Sequence, residues 1–277
     1  MMRSCNLPSG AGMPVLGLGT WRMGESARRR AEELEALKYG LDLGYPMIDT
    51  AEMYGDGEAE EIVGDALAGR TAKPYVVSKV YPHNATRSGT IAACERSLKR
   101  LRLPRIDLYL LHWRGGARIE ETFEAFHRLR DAGKIADFGV SNFDLDDMQD
   151  AARIDKGLNG SNQVLYSLSR RGPEFDLLPW MRKRSIPLMA YSPLDQGGLL
   201  RKAALKKVAD EVGCTPAQLA LAWLLAQPGV ITIPKSSTLE RVMENFGALD
   251  VKLAPEILRE LDRAFPPPNG KQPLEML

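Results

Sequence analysis

The chain has 277 residues, 44% apolar and 26% charged, which is enough for a sizeable core under a well-solvated surface. Thirty-seven basic residues against thirty-six acidic ones leave a net charge of +1, which excludes a broad field for nucleic acid or an anionic membrane. Cys5, Cys94 and Cys214 are too few and too far apart for a disulfide framework or a CxxC metal site, and no apolar run approaches a membrane span, so a globular, cytoplasmic protein is expected.

In chain order, 4–15 reads as two short extended pieces around a Pro-Ser-Gly-Ala-Gly turn, a hairpin placed to plug the base of the main fold. Eight short apolar runs come next: MPVLGLG (13–19), YPMID (45–49), YVVSK (75–79), IDLYLLH (106–112), IADFGVS (135–141), NQVLY (162–166), IPLMAYS (186–192) and VITIP (230–234). Between them lie amphipathic stretches such as 27–44, 87–103 and 119–134, whose apolar residues recur at three and four. Strand then helix, repeated eight times with strands apolar enough to be buried on both faces, predicts an α/β fold, a (β/α)₈ TIM barrel forming one domain over 1–277. The Pro cluster at 266–268 marks an irregular tail.

Strand after strand finishes with a reactive or polar group at its C-terminal end, where barrel active sites lie. The second ends in Asp49, the third in Lys79, the fourth in His112, the fifth in Ser141 and Asn142, the seventh in Tyr191 and Ser192, and the eighth in Lys235 and Ser236. Singly, an Asp after a strand is a helix cap or turn residue, a Lys a solvated charge and a His a satisfied rim residue. Convergence on one rim makes them a candidate site. His83, His112 and His127 are too scattered for a metal, and none is expected. Gly17-Leu18-Gly19-Thr20-Trp21-Arg22 has arginine where a Rossmann fingerprint needs its third glycine, so a dinucleotide would have to bind by other means.

The motifs GLGTW (17–21), IDTAEMYG (48–55), SK (78–79), LLHW (110–113), GVSNF (139–143), NQVLY (162–166), AYSPL (190–194) and IPKSS (233–237) resemble the aldo-keto reductase superfamily over nearly the whole chain, most closely its YeaE-type bacterial methylglyoxal reductase branch. That resemblance implies Tyr54 as general acid, Lys79 and Asp49 as its electrostatic partners and His112 as the group orienting a substrate carbonyl. The chemistry is coherent: a phenol titrates near pH 10, and lowering it by roughly three units takes about 4 kcal/mol, for which Lys79 is the candidate cation.

The resemblance also implies NADPH/NADP+ as cofactor, a barrel working as a monomer, and a cofactor site made by Thr20, Trp21, Asp49, Ser141, Asn142, Gln163, Tyr191, Ser192, Pro193, Leu194, Gly197, Lys235, Ser236, Arg241, Glu244 and Asn245. In it Tyr191 stacks on the nicotinamide, and Lys235 and Arg241 face a 2′-phosphate, which favours NADPH over NADH. Trp21, Tyr81 and Trp113, with Tyr54 and His112, correspond to the substrate wall. The short segment after His112 and the brief tail after Phe265 predict an open, shallow pocket for small aldehydes, dicarbonyls such as methylglyoxal, or aromatic aldehydes. The competing reading is a nucleotide-binding sensor or regulatory subunit of low turnover on the same barrel. A metal-dependent barrel hydrolase lacks its ligands.

Overall fold

The structure, a computed structural model, describes residues 3–157 and 159–277. It begins with β1 (Ser4–Asn6) and β2 (Gly12–Pro14), paired antiparallel around the turn at 7–11. The run at 13–19 is divided: its first residues complete this hairpin, and β3 (Leu18–Gly19), with Leu16 bridged to Thr232, joins the main sheet. Strands β4 (Met47–Asp49), β5 (Tyr75–Val80), β6 (Ile106–Leu111), β7 (Ile135–Ser141), β8 (Asn162–Leu165), β9 (Leu188–Tyr191) and β10 (Val230–Thr232) come after it in parallel, each next to its predecessor. The first and last strands meet as well. Thr232 donates its N–H to Val15 O at 2.9 Å, and Gly17 and Gly19 donate theirs to Thr232 O and Pro234 O at 3.0 and 3.1 Å. These bonds close the sheet into a barrel.

Helices α1 (Arg30–Leu43), α2 (Glu58–Leu67), α3 (Arg87–Leu101), α4 (Ile119–Asp131), α5 (Leu145–Ile154) and α6 (Leu177–Arg182) alternate with the strands; α7 (Ala203–Val212) and α8 (Pro216–Ala226) both precede β10, and α9 (Leu239–Phe246) and α10 (Pro255–Ala264) end the fold. Helix α8, PAQLALAWLLA, is apolar on every side and correspondingly buried, and it starts with a Thr215–Gln218 capping box.

Two cores result. One lies between the strands and helices; the other fills the barrel, where Leu7 and Met13 of the hairpin pack with Met47, Val77, Leu108, Leu110, Met189, Ile231 and Ile233. The hairpin thus stoppers the base, and Ser9 pins it by donating to Asp137 Oδ2 at 3.0 Å. Along β5, Val77 faces the interior while Val76 and Val80 face the helices, which puts Lys79 inside and Ser78 outside. Among the described residues no helix is long and apolar enough to cross a membrane, and no three His, Cys, Asp or Glu side chains are placed to hold a metal.

Candidate active site

At the C-terminal mouth of the barrel, Lys79 is fully buried and spends its three protons on three oxygens. Its Nζ donates to Asp49 Oδ2 at 2.8 Å, to Thr50 O at 2.9 Å and to Tyr54 Oη at 3.2 Å. The other carboxylate oxygen of Asp49 accepts from Gln163 Nε2 at 2.7 Å. Asp49, Tyr54 and His112 are only 2%, 8% and 7% exposed, so the group sits in a low-dielectric wall with one face open to the mouth. The His112 ring stands edge-on to Tyr54, with centroids 5.7 Å apart, and its Nδ1 is buried with no hydrogen-bond partner among the described residues.

Burial by itself would lower the Lys79 ammonium, but Asp49 and Tyr54 lift it above its ordinary range and keep it charged. Burial raises the Asp49 carboxyl, while Lys79 and Gln163 draw it back towards the ion pair. Burial, then the Lys79 charge, push His112 well below its ordinary value, so its imidazole is neutral. Tyr54 departs from the expectation of a lowered phenol. Burial raises it, and Lys79 pulls it down without overcoming that burial. Tyr54 therefore holds its proton at neutral pH, and Lys79 makes the phenolate less costly than burial alone would.

A cavity of about 250 Å³ opens in front of these groups, lined by Trp21, Met53, Tyr54, His112, Trp113, Asn142 and Tyr191, and by Met276 and Leu277 of the tail. Its neighbour, about 560 Å³, is lined by Pro193, Leu194, Gln196, Gly197, Arg241, Glu244 and Asn245. The two share Trp21, Ser192 and Lys235, and so form one trough from the Lys79 cluster to α9. Within it Tyr191 Oη donates to Asn142 Oδ1 at 3.0 Å, Asn142 Nδ2 donates to His112 O at 3.1 Å, and Ser141 Oγ donates to Gln163 O at 2.8 Å. Asn142, Ser192, Asp195 and Gln196 all hold positive φ, between 45° and 57°, the backbone strain that collects at ligand-binding rims.

A model of the Aldo/keto reductase family matches residues 15–265. The chain belongs to the aldo/keto reductase family. It is 47% identical to the methylglyoxal reductase YeaE of Escherichia coli over 96% of this chain and 95% of that one. It is 34% identical to the glyoxal reductase of Bacillus subtilis, covering 92% and 90% of the two. A crystal structure of an aldo-keto reductase from Klebsiella pneumoniae in complex with NADPH superposes on all of both chains with a TM-score of 0.95 and 46% identity. This aldo/keto reductase is therefore an oxidoreductase with the family's (β/α)₈ barrel.

Not every sequence-derived candidate reaches the trough. Tyr81 stands back from it: β5 ends at Val80, Glu52 accepts the Tyr81 N–H at 2.8 Å, and the ring stacks on His83 and meets the edge of Trp113. Thr20 is buried in the wall, donating to Asp49 O at 3.0 Å, and Ser236 turns to Thr238 O at 3.3 Å. The expected open, shallow pocket is also corrected. The tail folds back, tied by Glu275 to Arg170 at 2.6 Å, and Arg170 also holds Asp195 at 3.3 Å, so Met276 and Leu277 roof the inner cavity. Met53, Ile233, Met276 and Leu277 escaped the sequence reading, because apolar residues carry no chemical signal of their own. Met53 and Ile233 had only an indirect one, their places beside Tyr54 in IDTAEMYG and at the head of IPKSS.

Proposed function

We propose that this chain reduces small aldehydes and dicarbonyls to alcohols with NADPH, Tyr54 donating the proton. The observation that carries the reading is the Lys79 ammonium held between the Asp49 carboxylate and the Tyr54 phenol at the mouth of a small apolar cavity. NADPH, when bound, supplies a hydride to the carbonyl carbon. A carbonyl oxygen entering between Tyr54 and His112 takes its proton from Tyr54, and the neutral His112 fixes its direction. Lys79 stabilises the phenolate left behind, which recovers its proton from solvent. Asp49 holds Lys79 in place and keeps the site near neutral.

The trough suits a long cofactor with a ring at one end and phosphates at the other. Burial, followed by the charge of Arg29, lowers Lys235, so an anion there would relieve cationic crowding. Arg241 is exposed and has neither ion pair nor hydrogen bond among the described residues, leaving its fork free for a phosphate. Trp21, Ser141, Asn142, Gln163, Tyr191, Ser192, Pro193, Leu194, Gly197, Glu244 and Asn245 would hold the rest of the cofactor. The volume of about 250 Å³ behind Trp21, Met53, Trp113, Met276 and Leu277 favours methylglyoxal-sized carbonyls over steroids, in keeping with the two dicarbonyl reductases among the relatives. The reading takes 1–277 as one domain acting as a monomer in the cytoplasm.

Tyr54→Phe tests it with methylglyoxal, glyoxal, an aromatic aldehyde and a ketosteroid. NADPH titration should be unchanged while turnover of the small aldehydes falls by roughly 10² to 10⁴-fold. A variant keeping half the wild-type kcat would remove Tyr54 as donor, and NADPH binding without turnover in the unaltered chain would mean a sensor.

A further inference from the structure

Tyr54 and Lys79 come from different elements, so their 3.2 Å contact requires the turn before α2 and the strand β5 to be held together. Directly behind that contact, outside the barrel wall, lies a second, partly buried ion pair that the proposed mechanism does not use. Glu60, in the first turn of α2, is fully buried. Its Oε1 accepts the Ser78 hydroxyl at 2.5 Å, and its Oε2 accepts Arg100 Nε at 2.6 Å with Nη2 also at 2.6 Å. Ser78 is the outward-facing neighbour of Lys79 on β5. One carboxylate thus ties the helix after Tyr54 to the strand that carries Lys79.

Arg100 adds a second restraint. Its side chain, from the last turn of α3, lies so close over Gly57 that a Cβ there would be 2.8 Å from its Cδ and Nε. The turn beneath it has three successive residues at positive φ, Gly55 at 56°, Asp56 at 54° and Gly57 at 99°. Glycine takes this conformation freely and aspartate tolerates it singly, but three such residues in a row make a sharply folded turn whose path depends on what packs against it. On the opposite side the turn meets Met23 and Gly24, 3.0 Å from where a Cβ at Gly55 would be.

We propose that Glu60 and Arg100 are positioning residues for the reduction, setting the Tyr54 to Lys79 distance from outside the barrel. The proposal rests on Tyr54 being the proton donor. A pair that merely joined α2 to α3 would change the folded fraction and thermal stability, and nothing in the kinetics of the folded molecules.

The test is a double-mutant cycle between Arg100→Met and Tyr54→Phe, with kcat taken per folded molecule for NADPH-dependent methylglyoxal reduction. Arg100→Met should lower kcat by roughly 10-fold, since small displacements of reacting groups are costly, and leave NADPH affinity within about two-fold of the original. Its alkaline limb should move to higher pH, because a loosened Lys79 lowers the phenol less. Arg100→Lys, which keeps the charge beside Glu60, should recover part of the loss. In the Tyr54→Phe background, Arg100→Met should cost less than about two-fold, as the two act through one contact. If Arg100→Met does not fold, the double variant Glu60→Gln/Arg100→Met removes the buried carboxylate together with its partner and enters the same cycle. An unchanged kcat and pH profile, or an equal loss with and without the Tyr54 hydroxyl, overturns the clamp while leaving Tyr54 as donor. Full activity in Tyr54→Phe alone overturns both.

Discussion

The two halves of the trough are built on opposite electrostatic terms. In the inner cavity Lys79 and Asp49 are out of water and each has its partners in place. In the outer groove Lys235 is half-buried near Arg29 and Arg22 as well as Glu33 and Glu25, and Arg241 is solvated and unpaired among the described residues. A buried pair acts in a low dielectric and sets protonation states, so it governs rate; solvated cations are screened and add affinity for an anion. The difference separates the chemistry of this protein from its hold on the cofactor, and substitutions in the two halves should leave different kinetic signatures.

Lys79→Met should give the largest effect and one confined to the inner half. Turnover should fall at least about 100-fold, and the buried Asp49 left without its cation should cost roughly 3 to 5 kcal/mol of stability unless it protonates. The sign of the pH effect comes from the site. Lys79 pulls the Tyr54 phenol down, so its loss moves the alkaline limb of kcat to higher pH on a lower plateau. In the unaltered chain that plateau should be flat from about pH 6 to 8, because Tyr54 stays protonated and His112 stays neutral throughout. A pH–rate profile with a thermal melt checks both, and a step near pH 6.5 would mean that His112 titrates in the working enzyme.

Arg241→Ala probes the outer half and should weaken NADPH binding by roughly 10 to 100-fold, the range for one lost hydrogen-bonded charge contact. NADH binding and kcat at saturating NADPH should hardly change, and the NADPH loss should shrink as salt rises. Fluorescence titration of both cofactors at two ionic strengths measures this. Equal weakening of the two would place Arg241 at the adenine or in the fold instead of at the 2′-phosphate.

The smallest effect belongs to the tail, where Glu275→Gln breaks an ion pair whose side chains are 37% and 47% exposed. Such a pair contributes at most about 1 kcal/mol, so KM for methylglyoxal should rise no more than roughly five-fold, with kcat and NADPH affinity intact. A collapse of kcat would mean that the roof takes part in organising the inner cavity, and the separation of the two halves would no longer hold.

The placement of Asp49, Lys79, His112 and Tyr191 at one rim is legible from the sequence, because parallel strands with short apolar runs end at a common face. Tyr54 is harder to place, since it lies five residues beyond its strand on a turn with three residues at positive φ. Without the IDTAEMYG motif no spacing rule returns it to Lys79. Trp21 and Trp113 come just after strand ends and line the cavity, whereas Tyr81 does the same and stays out of it, because its backbone is held by Glu52 and its ring by His83. Helix α8 carries almost no amphipathic signal, being buried on all sides.

The sequence by itself determines the eight strand-helix repeats, the hairpin at the base and the residue types at the strand ends, because these arise from local periodicity and turn chemistry. Three things were decided only in the tertiary structure. Burial outweighs Lys79 in setting the Tyr54 phenol, since desolvation depends on everything packed around the ring. The tail closes over the inner cavity through Arg170, a contact spanning 105 residues of chain. Glu60, a plain helix charge in the sequence, becomes a buried link between Ser78 and Arg100, because only the packing of α2, α3 and β5 removes it from water and brings those groups, with Ser97, to satisfy it.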